Sequence, residues 1–129
     1  MVRDFRPPGY PGDHALAPHG MAVILNAPAV FRWTAPTNPE LHLYAARLMG
    51  ADTRGAAPDD AGEVLAGAII DIMRKTGMPN GLAALGFTAA DVDKLVEGTI
   101  PQHRVTKLSP KPATPGDLRQ LFLDSMVIW

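Results

Sequence analysis

HGMAVILNAPAVF, residues 19–31, contains the longest apolar run of the chain, interrupted only by Asn26 and Pro28. A segment that is apolar nearly all round predicts a helix buried on every side. Pro28 lacks a backbone N–H and is expected to kink this helix. In a chain of 129 residues, a helix of this kind needs cover from most of the other elements. The segment is therefore predicted to lie at the centre of the fold.

Two better-marked helices follow it. Asn38 is a favourable cap, Pro39 suits the first helical position, and Gly50 ends this second helix. The third helix begins near Asp60, which forms with Glu63 a variant of the capping box. Its apolar stripe consists of Val64, Leu65, Ala68, Ile69, Ile72 and Met73, and Gly77 ends it. The inward face predicted for the second helix consists of Leu41, Tyr44, Ala45 and Leu48.

Two shorter helices complete the prediction. Thr88 and Asp91 cap a fourth helix that ends at Gly98, and Thr114 caps a fifth near the C-terminus. The segment 100–113 is expected to be a long loop, and 1–18, rich in Pro and Gly, an extended one. No segment alternates apolar and polar residues as a strand does. The sequence thus predicts an all-α fold of about five helices, with residues 1–129 forming a single helical domain.

Composition excludes several kinds of protein. Twelve Lys and Arg against thirteen Asp and Glu give a net charge of −1 without clustering, which argues against a nucleic-acid surface. The absence of cysteine excludes disulfides, thiolate metal sites and cysteine nucleophiles. The apolar run is far shorter than the roughly 20 residues that span a bilayer, and the N-terminal segment lacks the pattern of a secretory signal. We expect a soluble cytoplasmic protein without nucleic-acid or membrane partners.

His19 is the principal candidate for chemistry. It stands in Pro18-His19-Gly20, where Pro fixes the preceding backbone and Gly permits close approach of another group. An imidazole at the mouth of a helix can bind a metal ion, and it can equally serve as a capping or packed histidine. Because a catalytic metal takes three or more protein ligands, any remaining ligands are expected elsewhere.

The other histidines give weaker signals. His14 lies beside Asp13, whose carboxylate can orient the imidazole, or it is a surface loop histidine. His42 is expected to be a partly exposed helix residue. His103 and Arg104 belong to a cationic stretch that either contacts substrate or another segment, or is a structural loop in which Arg104 pairs with a carboxylate. Neither GxGxxG, a P-loop nor GxSxG is present.

Several strings together resemble the iron-containing alcohol dehydrogenases, with the closest likeness to their hydroxyacid-oxoacid transhydrogenase-like branch. The resemblance extends from about Asp4 to Trp129. It rests on DHALAPHGM (13–21), NAPAVF (26–31), NGL (80–82), EGT (97–99) and QHRVTKLSP (102–110). Ala15 and Ala17 stand where larger residues are expected.

The resemblance implies a two-domain enzyme. An N-terminal α/β domain binds NAD(P), and a C-terminal, dehydroquinate synthase-like helical domain holds a divalent metal, Fe²⁺ or Zn²⁺, through one Asp and three His. The last of these ligands maps onto His19, whereas the other three and the glycine-rich cofactor loop lie upstream. The chain is therefore expected to be the last third of such an enzyme, truncated or part of a split gene. Alone it is expected to be inactive and not to bind NAD(P).

The implied function is the metal-binding portion of an oxidoreductase that oxidises an alcohol or 2-hydroxy acid with NAD(P). The alternative is a non-catalytic helical remnant, or an interaction module that pairs with another chain. A third hypothesis is a small protein that binds metal through His14 and His19 alone. Since the segment 21–31 is apolar on all sides, we expect an exposed apolar patch. Its partner would be a second copy or a chain that carries the cofactor domain.

Overall fold

The computed structural model describes residues 4–129, and every regular element among them is helical. This confirms the all-α prediction. Short 3₁₀ turns cover Ala35–Thr37, Pro58–Asp60, Leu82–Leu85 and Ala89–Asp91. The α-helices are α1 (His19–Ile24), α2 (Ala27–Thr34), α3 (Pro39–Leu48), α4 (Ala61–Lys75), α5 (Val92–Thr99), α6 (His103–Thr106) and α7 (Pro115–Asp124). No helix in this part of the chain is long and apolar enough to cross a membrane.

Helix α4 is the central element, since both α2 and α3 pack against it. Gly62 lies where α2 crosses it, and a Cβ there would be 3.0 Å from the Cα of Arg32. The absence of a side chain therefore lets the two backbones approach closely. The core cluster includes three residues of α4 and consists of Leu25, Ala46, Leu65, Ile69, Met73, Leu82, Leu85 and Phe87. Burying one large side chain of this kind contributes about 1.5–3 kcal/mol.

The single helix predicted over 19–31 is wrong, because the chain turns at Leu25 and Asn26 and starts a new helix. The Asn26 backbone N–H bonds the Val23 carbonyl (3.2 Å), and its Nδ2 donates to the Ala22 carbonyl instead (3.0 Å). The side chain thus satisfies the carbonyl that a continuing helix would have used. Pro28 lies in the first turn of α2, where a missing N–H costs nothing, so it kinks no helix.

Burial of this segment also differs from the prediction. Leu25, Pro28 and Ala29, at the joint between the helices, are buried. In contrast, α1 contains no fully buried residue, and 55% of Val23 is exposed. Met21 and Ile24 contact the core from the edge. The reason is that α1 lies at the periphery, with no described element over its outer side.

The caps confirm most of the predicted helix starts. Asn38 Oδ1 accepts the Leu41 N–H (3.1 Å), and Thr88 and Thr114 each form a capping box, with Asp91 and Asp117 respectively. Asp60 differs: its carboxylate accepts the Ala57 N–H (2.8 Å), one turn earlier than expected. Glu63, the expected partner of Asp60, pairs instead with Arg32 across the α2–α4 crossing (2.8 Å).

Two predicted boundaries are wrong. Gly98 lies inside α5, which continues to Thr99, because the backbone N–H of Ile100 still bonds the Val96 carbonyl (3.0 Å). The predicted loop 100–113 contains α6, a single helical turn in which the Thr106 N–H bonds the Gln102 carbonyl (3.1 Å). A glycine signals the end of a helix only when it adopts a positive φ, as Gly50 and Gly77 do here.

The inward face predicted for α3 is wrong for three of its four residues. Leu41, Tyr44 and Leu48 are exposed, whereas Ala45 packs against the core, and His42 and Ala46 are buried. Amphipathic spacing identified one apolar face correctly but could not show which face meets the core. On α3 the face that meets the core is the one that carries His42, because both ring nitrogens of His42 form hydrogen bonds there.

The C-terminal segment is fixed to the turn at Asn80 and Gly81. Asn80 Oδ1 accepts the N–H groups of Ile128 (2.8 Å) and Trp129 (3.0 Å), and its Nδ2 donates to the Trp129 carbonyl. The Leu82 N–H bonds the Ser125 carbonyl (2.9 Å). Gly81 has φ +76°, and a Cβ on it would be 2.3 Å from the Met126 carbonyl oxygen. Only glycine fits this contact.

Gly81→Ala is therefore expected to lower the free energy of unfolding by more than about 2 kcal/mol, through the positive φ and the clash together. Gly67→Ala is the matched control, because Gly67 lies in α4 and no atom is within 4 Å of the position that its Cβ would occupy. It is expected to raise the free energy of unfolding by about 0.5–1 kcal/mol. Urea unfolding followed by circular dichroism measures both, and equal effects would contradict the docking described.

Candidate functional site

His19 occupies the first position of α1 with its side chain exposed. Pro18 precedes it with φ −53° and ψ 142°, an extended conformation that ends before the helix begins. Gly20 follows, and no atom lies within 4 Å of where its Cβ would be. The imidazole makes no hydrogen bond or ion pair with another described residue. It is therefore accessible to a ligand from outside the described fold.

His14 lies in the segment before α1 and is oriented by its neighbour. Its Nδ1 is 3.1 Å from Asp13 Oδ1, and both side chains are exposed. Two contacts hold this segment in place, from Arg6 Nε to the His14 carbonyl (3.1 Å) and from the Leu16 N–H to the Phe5 carbonyl (2.8 Å). The contact expected between Asp13 and His14 is thus present, while a role for it in a site stays a prediction.

His103 and Arg104 form the start of α6 and are both exposed. The His103 N–H bonds the Pro101 carbonyl (2.8 Å), which shapes the turn before the helix. None of the ion pairs between described residues involves Arg104, so the carboxylate partner considered for it is absent from residues 4–129. The exposed guanidinium of Arg104 is accessible to an anion.

The structure does not assemble a complete metal site from these residues. Within 4–129, no three His, Asp or Glu side chains lie close enough together to hold one ion. His14, His19 and His103 therefore do not share a ligand set with carboxylates of this part of the chain. His19 thus belongs to no such group among residues 4–129, and its role as a metal ligand stays a prediction.

His42, predicted to be partly exposed, is buried. Its Nδ1 is 2.8 Å from the Asn38 carbonyl, which can only accept, so Nδ1 carries the proton. Nε2 then accepts from the Thr34 hydroxyl (3.0 Å), and the Phe31 ring packs edge-on at 5.9 Å. With both nitrogens satisfied, His42 links α2 to α3 and has a structural role.

Trp33 is a residue that the sequence analysis missed. Lys111 Nζ lies 4.0 Å from the centre of its ring, a cation–π contact that fixes the segment before α7 onto α2. The ring also borders a groove of about 660 Å³ between α2 and α7, beside Ala29, Leu121 and Val127. The tryptophan itself, two residues after Phe31, was the signal in the sequence for this contact.

Asp117, in the first turn of α7, is an ionisable residue whose pKa is lowered by its surroundings. The Thr114 hydroxyl (2.6 Å) and then the Thr114 N–H (2.9 Å) donate to its Oδ2 and lower the pKa of Asp117 below its ordinary value. Trp33 and the charge of Lys111 lower the pKa further by smaller amounts. The carboxylate at the start of α7 is thus favoured in its charged form.

A lowered folded-state pKa means that the cap stabilises the fold above about pH 4 and loses this effect as pH falls through the folded pKa. We expect Asp117→Asn to reduce the loss of stability between about pH 5 and 3. The matched control is Asp59→Asn, an exposed carboxylate without a described hydrogen bond. Urea unfolding measured across this pH range tests the prediction. If the free energy of unfolding of Asp117→Asn falls with acid as much as that of the parent chain, the stabilising role of the Asp117 carboxylate is contradicted.

Comparison with known proteins adds a family and several relatives. Residues 12–126 match the model described as "Fe-containing alcohol dehydrogenase family, C-terminal". The whole chain aligns with a segment of a "Probable hydroxyacid-oxoacid transhydrogenase, mitochondrial" from Dictyostelium discoideum. The aligned residues are 55% identical, and the segment makes up 24% of the length of that protein. The corresponding human protein, without "probable" in its name, is 46% identical over 28% of its length. The chain thus spans about a quarter of the length of these curated relatives.

A solved structure agrees in fold. A crystal structure of 1,3-propanediol oxidoreductase matches 84% of this chain and 28% of its own chain, with a TM-score of 0.76 and 27% identity. The predicted resemblance to the family and to its transhydrogenase-like branch is confirmed.

The predicted cytoplasmic location is wrong, because the transhydrogenases that align with the whole chain are named as mitochondrial proteins.

Proposed function

This chain belongs to the Fe-containing alcohol dehydrogenase family of oxidoreductases, and we propose that it is the metal-binding helical portion of an NAD(P)-linked enzyme. The observation that carries the proposal is the exposed His19 at the start of α1, within the matched region and beside an uncovered apolar face. The remaining ligands and the cofactor-binding segment would come from the larger part of the assembled enzyme. That part would lie on the same polypeptide or on a partner chain.

We propose a 2-hydroxy acid as the substrate, oxidised while an oxo acid is reduced. The support is the name shared by the relatives that are 44–55% identical to this chain. The wider family also contains an oxidoreductase named for 1,3-propanediol, so a simple alcohol is the broader form of the same proposal. In both cases the hydroxyl oxygen of the substrate must lose a proton, and the carbon that carries this hydroxyl must transfer a hydride to the nicotinamide.

The residues present fit a role as one contributor to the metal site. A neutral imidazole is a suitable ligand for Fe²⁺ or Zn²⁺, and His19 is exposed beside a glycine that leaves room for a neighbouring group. A divalent metal held there would supply Lewis-acid chemistry at the substrate hydroxyl. The contribution of this chain is to hold the His19 imidazole at a fixed position relative to the core.

The other candidates have supporting roles in the proposal. His14, whose imidazole is oriented by Asp13, lies in the segment before α1 and is proposed to contact the substrate. Arg104 presents a planar guanidinium that matches a carboxylate in two hydrogen bonds, and His103 precedes it. A carboxylate is the group that distinguishes a hydroxy acid from a simple alcohol. We therefore propose that Arg104 binds the substrate carboxylate and so selects 2-hydroxy acids over simple alcohols.

Replacing the aligned segment of the Dictyostelium relative with this chain tests the role of His19. We expect the chimera to retain about one metal ion per site, and its His19→Ala variant to lose most of it, because the implied set of one Asp and three His then lacks one donor. His14→Ala is the matched control, since it should keep the metal and lose activity only. Elemental analysis gives the metal content. Full metal content in the His19→Ala chimera would refute the proposal.

Arg104→Ala in the same chimera tests the substrate class. Its kcat/KM for a 2-hydroxy acid is expected to fall by about tenfold or more, while its kcat/KM for a simple alcohol stays within about twofold. The reason is that only the hydroxy acid carries a carboxylate for Arg104 to bind. Equal losses for both substrates would contradict a role in acid recognition. A chimera without activity that still binds metal through His19 would favour the non-catalytic alternative.

Alone, the chain is expected to bind Zn²⁺ weakly, with a Kd above about 10 µM, because no three His, Asp or Glu side chains of residues 4–129 lie close enough together to hold one ion. Calorimetric titration beside His19→Ala measures this. Tight binding that disappears in His19→Ala would mean that the chain completes a site by association with itself, which is contrary to this expectation.

A further inference from the structure

Helix α3 has two apolar faces, and the core covers one of them. The inner face buries His42 and Ala46. On the opposite face the exposed fractions are 58% for Leu41, 50% for Tyr44 and 69% for Leu48. Single exposed apolar residues are normal on a protein surface, but three aligned on one helix form a continuous apolar strip. We refer to Leu41, Tyr44 and Leu48 as the α3 seam.

The spacing of the α3 seam is that of a helix–helix contact. Residues 41, 44 and 48 are related as i, i+3 and i+7, the a–d–a pattern by which two helices interlock side chains. Met49 and Ile72, both exposed, border a separate groove between α3 and α4. A surface with this pattern fits another helix better than it fits a small molecule.

The charges beside the seam indicate which helix fits. Glu40 and Arg47 are seven residues apart, so they flank the same edge of the seam at its two ends. The Arg47 guanidinium lies 5.3 Å from the centre of the Tyr44 ring, which places it beside the seam. If a second α3 runs antiparallel, Glu40 of each copy faces Arg47 of the other. The seam is therefore complementary in charge to itself.

We propose that the α3 seam is the interface of an antiparallel dimer of this chain, with Leu41, Tyr44 and Leu48 interlocked and two Glu40–Arg47 ion pairs at the ends. Such an arrangement has the two-fold symmetry of most homodimers, in which the same surface serves both copies. The proposal does not rest on the proposed function, because α3 carries none of the candidate site residues.

The expected affinity is modest. Ten residues of helix span about 15 Å, so the contact falls at the small end of specific interfaces. We expect a reversible dimer with a Kd of about 10–100 µM. Exposed ion pairs add little binding energy, and their main contribution is to select the antiparallel orientation.

Sedimentation equilibrium of the full chain from about 1 to 300 µM, a range that brackets such a Kd, tests the interface. Leu48→Glu is expected to raise the Kd by about tenfold or more, because it buries a charge in the seam. Leu108→Glu is the matched control, since Leu108 is 81% exposed and lies outside the seam. It should leave the Kd unchanged, and circular dichroism checks that both variants are folded.

Charge exchange tests the orientation and does not alter the apolar seam. Glu40→Lys and Arg47→Glu each place like charges opposite one another in an antiparallel homodimer, so each is expected to weaken self-association by about threefold or more. Mixing the two variants restores opposite charges at both ends. The mixture should therefore associate about as strongly as the parent chain, with a dimer that contains one copy of each.

Three outcomes would overturn the proposal. A chain that stays monomeric at about 300 µM would mean that the seam is covered by another part of the family enzyme or by solvent. A dimer that survives Leu48→Glu but dissociates in Val23→Glu would assign the interface to α1. Failure of the mixed charge variants to associate better than either alone would exclude the antiparallel arrangement.

Discussion

The crossing of α2 over α4 at Gly62 is the contact on which the other packing depends. A side chain at this position would collide with the α2 backbone at Arg32, so the closeness of the two helices requires glycine. Helix α2 carries α1 at one end and contacts α7 along its side, while α3 packs on α4. The Arg32–Glu63 ion pair spans the same crossing. The positions of His19 and of the C-terminal helix both follow from this close approach.

His19 gains its position through a short chain of contacts. Leu25, Pro28 and Ala29 are buried at the joint between α1 and α2, so the direction of α1 is fixed although its outer face is uncovered. A side chain at the start of such a helix is held in place by the core without being enclosed by it. This is compatible with the proposal that the other metal ligands lie in further sequence, since the chain spans about a quarter of the length of its relatives.

Helix α3 shows how one satisfied polar residue can decide the orientation of a helix. His42 can be buried because its two ring nitrogens form hydrogen bonds with the Asn38 carbonyl and the Thr34 hydroxyl. A buried polar group without partners would cost several kcal/mol, roughly 2–7. Once His42 and Ala46 face the core, the seam of Leu41, Tyr44 and Leu48 must face outward. The exposed apolar strip is thus a consequence of packing and is available for association.

The sequence by itself determined the all-α class, the family resemblance and most helix starts, because caps such as Asn38, Thr88 and Thr114 act on backbone groups within three residues. It also singled out His19, although the metal role of His19 stays a prediction. The outward seam of α3 and the docking of residues 125–129 on Asn80 were decided only by the tertiary structure, because the surfaces they meet are brought there by distant parts of the chain. The break at Asn26 and the extension of α5 through Gly98 rest on hydrogen bonds to carbonyls three or four residues away, a pattern that residue type and spacing did not predict. Local spacing can show that a helix has an apolar face, but only packing decides whether that face is buried.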